Sequence, residues 1–231
     1  MKIRLKFTKE GRVKYVGHLD TMRLFQRAIK VANIPVAYSK GFSPHSLVYF
    51  ALPLGVGVSS KGEYMELITS KDIDPKLVQD KLNEVLVDGI SILDSWLVEE
   101  KGDSLMSLVS AADYKIRIYP EENTTMDQIS NIKDIDMDSQ LIVLKKGKKG
   151  IKEVDIRPLI LDYSIEKYDS FVEVTCKVLA GSSQNLSPDL LIQSILKETD
   201  IKYQLDITRI EMYTPIDESH TPISRLGRVV C

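Results

Sequence analysis

The sequence predicts an α+β protein built as two tandem ferredoxin-like domains of βαββαβ type with antiparallel sheets. Three observations carry this. Two-residue and helical hydrophobic periods succeed one another as β-α-β-β-α-β over residues 1–100. A comparable succession, with an added strand, begins at Ala112. The chain has 231 residues and is 43% hydrophobic, enough to bury a core in each of two domains of roughly 100 residues. The boundaries that follow are 1–100 for a first domain with a basic face and 101–111 for a connector. A second domain with a basic hairpin follows at 112–214, and 215–231 reads as a polar tail.

Met1 to Thr8 alternates Ile3, Leu5 and Phe7 with Lys2, Arg4 and Lys6, the period of a strand with one buried face and a basic outward face. After a turn at Lys9-Glu10-Gly11, Val13 to Val16 continues extended. From His18 the apolar spacing of Leu19, Met22, Phe25, Ile29 and Ala32 becomes helical, with Gly17 at the switch and Pro35 ending the helix. Ser46 to Leu54 and Glu63 to Thr69 read as paired strands around a Ser59-Ser60-Lys61-Gly62 turn. Asp74-Pro75 opens a second helix whose inner stripe is Leu77, Val78, Leu82, Val85 and Leu86, and Ile90 to Val98 returns as strand.

In the second half, Ala112 to Tyr119 is a strand and Thr124 to Ile132 a weak helix. Gln140 to Lys145 and Ile151 to Arg157 form a hairpin around Gly147-Lys148-Lys149-Gly150, and Leu159 to Glu166 pairs with Phe171 to Leu179. Ser187-Pro188-Asp189 starts a helix and Ile207 to Tyr213 closes the sheet.

Charge is spread unevenly. Residues 1–61 hold eleven Lys or Arg against Glu10 and Asp20, a local net of +9, so with −2 overall the rest of the chain carries −11. An electropositive end attracts an anionic partner, nucleic acid first; scattered lysines on a solvated surface are the bland alternative. Met1 to Phe7 does not read as a secretory signal and no apolar run is long enough to span a bilayer, so a cytoplasmic protein without membrane contact is expected. Cys176 and Cys231 offer no disulfide framework. Neither they nor the histidines at 18, 45 and 220 have the short paired spacing of a structural zinc site, and no cofactor is expected.

The candidate contact residues fall in three places. Arg23, Arg27 and Lys30 recur at i, i+4 and i+7 on one face of the first helix, a rail about 10 Å long that can meet successive phosphates. Arg4 and the loop residue Lys40 extend it. In Lys40-Gly41-Phe42-Ser43-Pro44-His45, Phe42 can stack on a base while its neighbours meet phosphate, or instead lid the core. Lys145, Lys146, Lys148 and Lys149 crowd the hairpin tip, as a second contact or as a solubilising turn. His18 and Asp20 at the helix start suit capping and the helix dipole; with His45 they could alternatively converge as a general acid-base group. Gly55-Val56-Gly57-Val58 lacks the residues of a nucleotide loop and reads as turn geometry.

The stretches VGHLDTMRLFQRA, IPVAYSKGFSPHSLVYFALPLGVGVSSKGEYMEL, SLMSLVSAADYKIRI and KEVDIRPLI together resemble the radical SAM-linked protein family, an uncharacterised bacterial family. Its motif positions here are His18, Asp20, Arg23, Gly41, Pro44, His45, Pro53, Gly57, Glu63 and Asp155. The resemblance implies an accessory to a radical SAM protein. This chain lacks the Cys-x-x-x-Cys-x-x-Cys that would hold the cluster, so it is not itself the radical catalyst. The layout is also similar in outline to CRISPR repeat-processing endoribonucleases, an analogy of fold. The resulting expectation is a non-catalytic RNA-binding module working with a radical SAM enzyme in RNA modification or processing. Two alternatives stand beside it: a metal-independent RNA-processing enzyme using His18 and His45, and a protein-docking module that touches no RNA.

Overall fold

The computed structural model describes residues 1–130, 132, 135, 139–147, 150–196, 201–216 and 219–228; for 145–147, 216 and 219 the description covers the backbone alone. Among them the chain is mixed α/β, with five α-helices and mostly antiparallel sheet. It divides into two compact units, Met1–Ser110 with Arg209–Cys231, and Ala111–Thr208. No described helix is long and apolar enough to cross a membrane.

In the first unit the order of elements is β1 (Lys2–Lys9), α1 (His18–Val31), β2 (Val48–Phe50), β3 (Ser59–Ile68), α2 (Pro75–Val85) and β4 (Ile92–Val98). Strand β1 lies between β3 and β4, antiparallel to both, and β2 takes the other edge of β3 at Met65 to Leu67. Ile3, Leu5 and Phe7 point into a core closed by Phe25 and Ile29 of α1 and by Val78 and Leu82 of α2. Each such side chain contributes about 1.5–3 kcal/mol on burial. Asp74 caps α2 by accepting from Lys76 N–H at 2.9 Å, and Asn83 clamps the helix to β4 through both its amide groups on Ile92.

Several local expectations give way here to long-range partners. Val13 to Tyr15 is not extended, though Val16 is: Gly11–Tyr15 is a 3-10 helix, drawn back as Lys9 Nζ donates to Val16 O at 2.6 Å. The strand expected over Ser46 to Leu54 is only Val48–Phe50, since Leu52 gives its carbonyl to Arg209. Ser59 to Gly62 is not a turn but the start of β3. Its partner is β10 (Tyr203–Ile216), and a Cβ on Gly62 would lie 2.5 Å from Ile210 O. Leu77, placed on the inner stripe, is exposed. The residues after Pro215 are not a tail either. Ser219–Pro222 forms β11 on β10 and Ile223 is fully buried, while Trp96 donates to Leu226 O at 3.1 Å.

The second unit runs β5 (Ala111–Pro120), α4 (Met126–Ser130), β6 (Ile142–Gly147), β7 (Gly150–Asp155), β8 (Ile160–Lys167), β9 (Val172–Leu179) and α5 (Pro188–Ile195), then the first residues of β10; α3 (Leu105–Leu108) precedes it in the first unit. Its strand order is β10-β5-β9-β8, while β6 and β7 make a two-stranded ladder of their own. Ile116, Ile118, Val174 and Val178 are fully buried, and the Cys176 thiol among them is pushed up to about 12 by that burial. On the opposite face Glu173 accepts from Lys115 at 2.8 Å and Arg117 at 2.9 Å. Asp155 accepts from the backbone N–H groups of Arg157 and Leu141, both at 3.0 Å.

Two predictions follow from these contacts. Gly62→Ala drives a methyl into the β10 backbone and should cost about 1–3 kcal/mol in urea unfolding, against about 0.5 kcal/mol or less for the exposed neighbour Lys61→Ala; equal effects would refute the close approach. Burial opposes ionisation of Glu173, but Lys115 and Arg117 outweigh it and hold the carboxyl below its ordinary 4.5. A depressed acid stabilises the fold above its unfolded pKa and stops doing so as pH falls through the folded one. Glu173→Gln should therefore be less stable than wild type at neutral pH, the gap closing below pH 4.5.

Candidate nucleic-acid interface and adjoining cavity

The basic stripe of β1 does not face solvent. Lys2, Arg4 and Lys6 alternate away from the core, as their period requires, but they meet carboxylates on neighbouring strands. Glu66 of β3 takes Lys2 at 3.0 Å and both Nε and Nη2 of Arg4, at 3.0 and 2.7 Å, with Arg4 only 4% and Glu66 1% exposed. Glu211 of β10 takes Lys6 at 2.7 Å and accepts from the Tyr64 hydroxyl at 2.5 Å. Burial and that carboxylate push the Tyr64 phenol upward. Arg4, expected to reach phosphate, is thus an internal group. On the other face of β3, Glu63, in register with Phe7, holds buried Arg209 through three bonds of 2.6–2.8 Å.

Helix α1 keeps its rail. Arg23, Arg27 and Lys30 are all exposed, because Phe25, Ala28 and Ile29 take the buried face. Asp20 pairs with Arg23 at 2.9 Å at the solvent surface. The two arginines border a groove of about 430 Å³ floored by Leu24, Ala28, Val31, Val85 and Val87. His18 does not cap the helix: Gly17 is the N-cap, and the His18 ring stands edge-on to Phe50, 5.7 Å between centroids. Phe50 in turn meets Phe7 and Phe25 of the core, which fixes the imidazole in place.

The 38–46 loop is closed by a bridge between Tyr38 and Ser46, and Gly41 sits at φ +132, a conformation that a side chain would strain. Phe42 is fully exposed and lids nothing; Lys40 and His45 flank it, also exposed. His45 Nδ1 lies 2.8 Å from Ser39 Oγ, and the residue lines none of the described cavities. Lys148 and Lys149 of the basic hairpin lie outside the described residues, and Lys145 and Lys146 are described in their backbone only, opposite Lys152 and Ile151. Among the described residues no group of His, Cys, Asp and Glu could hold a metal ion.

A cavity of about 500 Å³ opens beside the start of α1. Its lining joins His18 and Met22 to Tyr49 and Phe50, to the Lys2–Glu66 pair, and to the connector from Glu100 to Met106. Of these only His18 was a sequence candidate. Tyr49 carried a signal, an aromatic at an outward strand position; Glu66 carried a weaker one, an acid in register with a basic strand.

Glu66 is the one carboxylate shared by two buried cations, so Glu66→Gln should cost about 3–5 kcal/mol. Lys2→Gln leaves the Arg4–Glu66 pair matched and should cost far less. Thermal unfolding of both variants checks this, and a Glu66→Gln protein as stable as wild type would overturn the assignment.

No curated protein matches the chain. Among solved structures, one chain of a Cbf5-Nop10-Gar1 complex is 11% identical, covering 91% of this chain and 48% of that one, at a TM-score of 0.49; this chain thus spans about half its length. An unknown protein from Galdieria sulphuraria is 13% identical over 89% of this chain and 97% of that one, at 0.26. DyPB from Rhodococcus jostii RHA1 is 10% identical over 90% and 92%, at 0.22. At such scores none of the three carries an argument. The family comparison does: residues 2–188 match one family model, and the chain belongs to the family described as uncharacterized protein conserved in bacteria, DUF2344.

Proposed function

We propose that this chain is an accessory, non-catalytic module that binds single-stranded RNA on its first unit and presents it to a partner enzyme. The observation that carries the reading is the loop around Phe42: a fully exposed aromatic between Lys40 and His45, with no packing role of its own. Aromatics so placed stack on bases, and neighbouring cations meet the backbone. The exposed Arg23, Arg27 and Lys30 rail supports it. The Asp20–Arg23 pair is solvent-screened and worth about 0.5 kcal/mol, so a phosphate can displace it. The partner class, a radical SAM enzyme, and a cytoplasmic setting belong to the same proposal; the first rests on the resemblance of the quoted segments, the second on the free, buried Cys176.

The fold reading is part of the proposal too. Each unit is taken as ferredoxin-like, supported by strand order: β4-β1-β3 with β2 on the edge of β3 away from β1, and β10-β5-β9-β8, give first to fourth strands the same order. The β6–β7 hairpin is then an insertion in the second.

A second reading, an RNA-processing enzyme, is favoured by one observation, the placing of His18 on a cavity. It would act without His45 on that cavity.

Titration of a short labelled oligoribonucleotide at several salt concentrations tests the proposal. Phe42→Ala should weaken binding by about 1–3 kcal/mol, and Arg27→Glu should lower the salt slope by about 0.7 for a lost phosphate contact. Unchanged affinity in both would refute it. His18-dependent cleavage products would favour the enzyme, and partner capture surviving nuclease and high salt without RNA binding would favour docking.

A further inference from the structure

We infer that the cavity beside α1 is a binding site for a ribonucleoside 5′-monophosphate, free or at the end of an RNA strand. The second form rests on the function proposed above; the first does not.

The floor supplies the reason for an anion. Lys2 and Arg4 share one carboxylate, Glu66, so this buried cluster holds two positive charges against one negative. Behind the lining, which includes Lys2 and Glu66 but not Arg4, Arg4 Nη1 is buried without a partner among the described residues. Burying a cation without its counter-charge is costly. Lys2 lines the cavity and spends one ammonium hydrogen on Glu66, leaving donors for a phosphate.

The walls and rim select what the anion is attached to. Tyr49, Phe50 and Met22 offer flat, apolar and polarisable surface of the kind on which a base packs, and Tyr49 is substantially exposed although aromatic. Asp103 and Ser104 sit at the exposed rim, with Glu100, which pairs with the Met1 ammonium at 3.2 Å. Carboxylates there accept from sugar hydroxyls, the contact that distinguishes ribose from deoxyribose. A hydrocarbon ligand would leave the charged floor facing apolar atoms, and a bare inorganic anion would leave most of the roughly 500 Å³ unfilled.

Calorimetric titration of the full chain with the four ribonucleoside 5′-monophosphates, adenosine, inorganic phosphate and 2′-deoxyadenosine 5′-monophosphate tests the inference. At least one monophosphate should bind at sub-millimolar concentration, and adenosine and phosphate about tenfold or more weaker. Lys2→Gln and, on an exposed side chain that does not threaten folding, Tyr49→Ala should each weaken binding about tenfold. Asp103→Asn should narrow the preference for ribose. Failure of every monophosphate to bind, or binding untouched by both Lys2→Gln and Tyr49→Ala, overturns the site. Oligoribonucleotides with a 5′-phosphate or a 5′-hydroxyl separate the two proposals. RNA binding indifferent to that phosphate, with no mononucleotide bound, sinks the cavity alone; mononucleotide binding without RNA binding sinks the RNA module alone.

Discussion

One carboxylate governs what the first unit can present to its surroundings. Glu66 lies on the face of β3 turned from the helices, in register with Arg4 of β1, and it takes both Lys2 and Arg4. Without it the stripe on β1 would either stay in water or face burial as bare cations, and the second of these is prohibitive. With it, that face of the sheet can be covered. The connector carrying Leu105 and the segment carrying Ile223 bury apolar side chains in the same unit, and Leu226 takes the Trp96 indole N–H. A strand that looks like a phosphate track from its own sequence becomes an interior strand.

Glu63 does a related job on the other side of β3. Its carboxylate and the Leu52 carbonyl share the buried Arg209 guanidinium, which ties β10 and the segment after β2 to one strand. That segment follows Phe50, the ring that meets Phe7, Phe25 and His18. The imidazole therefore stands on a chain of packed aromatic rings, and its position follows from the core. Lys9, buried nearby, has its pKa lowered by desolvation and spends its ammonium on backbone carbonyls.

What could be read from the sequence was whatever depends on neighbours within a few residues. Asp74-Pro75 and Ser187-Pro188 marked helix starts because the capping side chain and the fixed proline φ act within one turn. The Lys-rich hairpin followed from glycine spacing, and the exposed face of α1 from helical period. Illegible were the residues whose partners are distant in sequence. Periodicity shows that Lys2, Arg4 and Lys6 share a face, but not that Glu66 and Glu211 stand on it. Gly62 looked like a turn because nothing local reveals that β10 packs against its bare Cα. Leu77 looked internal because a helical stripe read from spacing alone is wider than the groove that receives it.

The same distinction limits what the charge count means. Of the eleven cations in residues 1–61, Lys2, Arg4, Lys6 and Lys9 are taken by internal carboxylates or carbonyls. The field a ligand meets is correspondingly smaller than the local +9 suggests. At physiological salt that field fades within about 8 Å, so a few exposed cations on α1 and the 38–46 loop act by contact, not by long-range attraction. Binding there depends heavily on groups that work at contact distance irrespective of charge. The fully exposed ring of Phe42 is such a group, and the aromatic wall of the cavity, Tyr49 and Phe50, is another. A surface of this composition favours unstacked bases over duplex phosphates, because only the former bring a ring face within reach of the aromatic side chains.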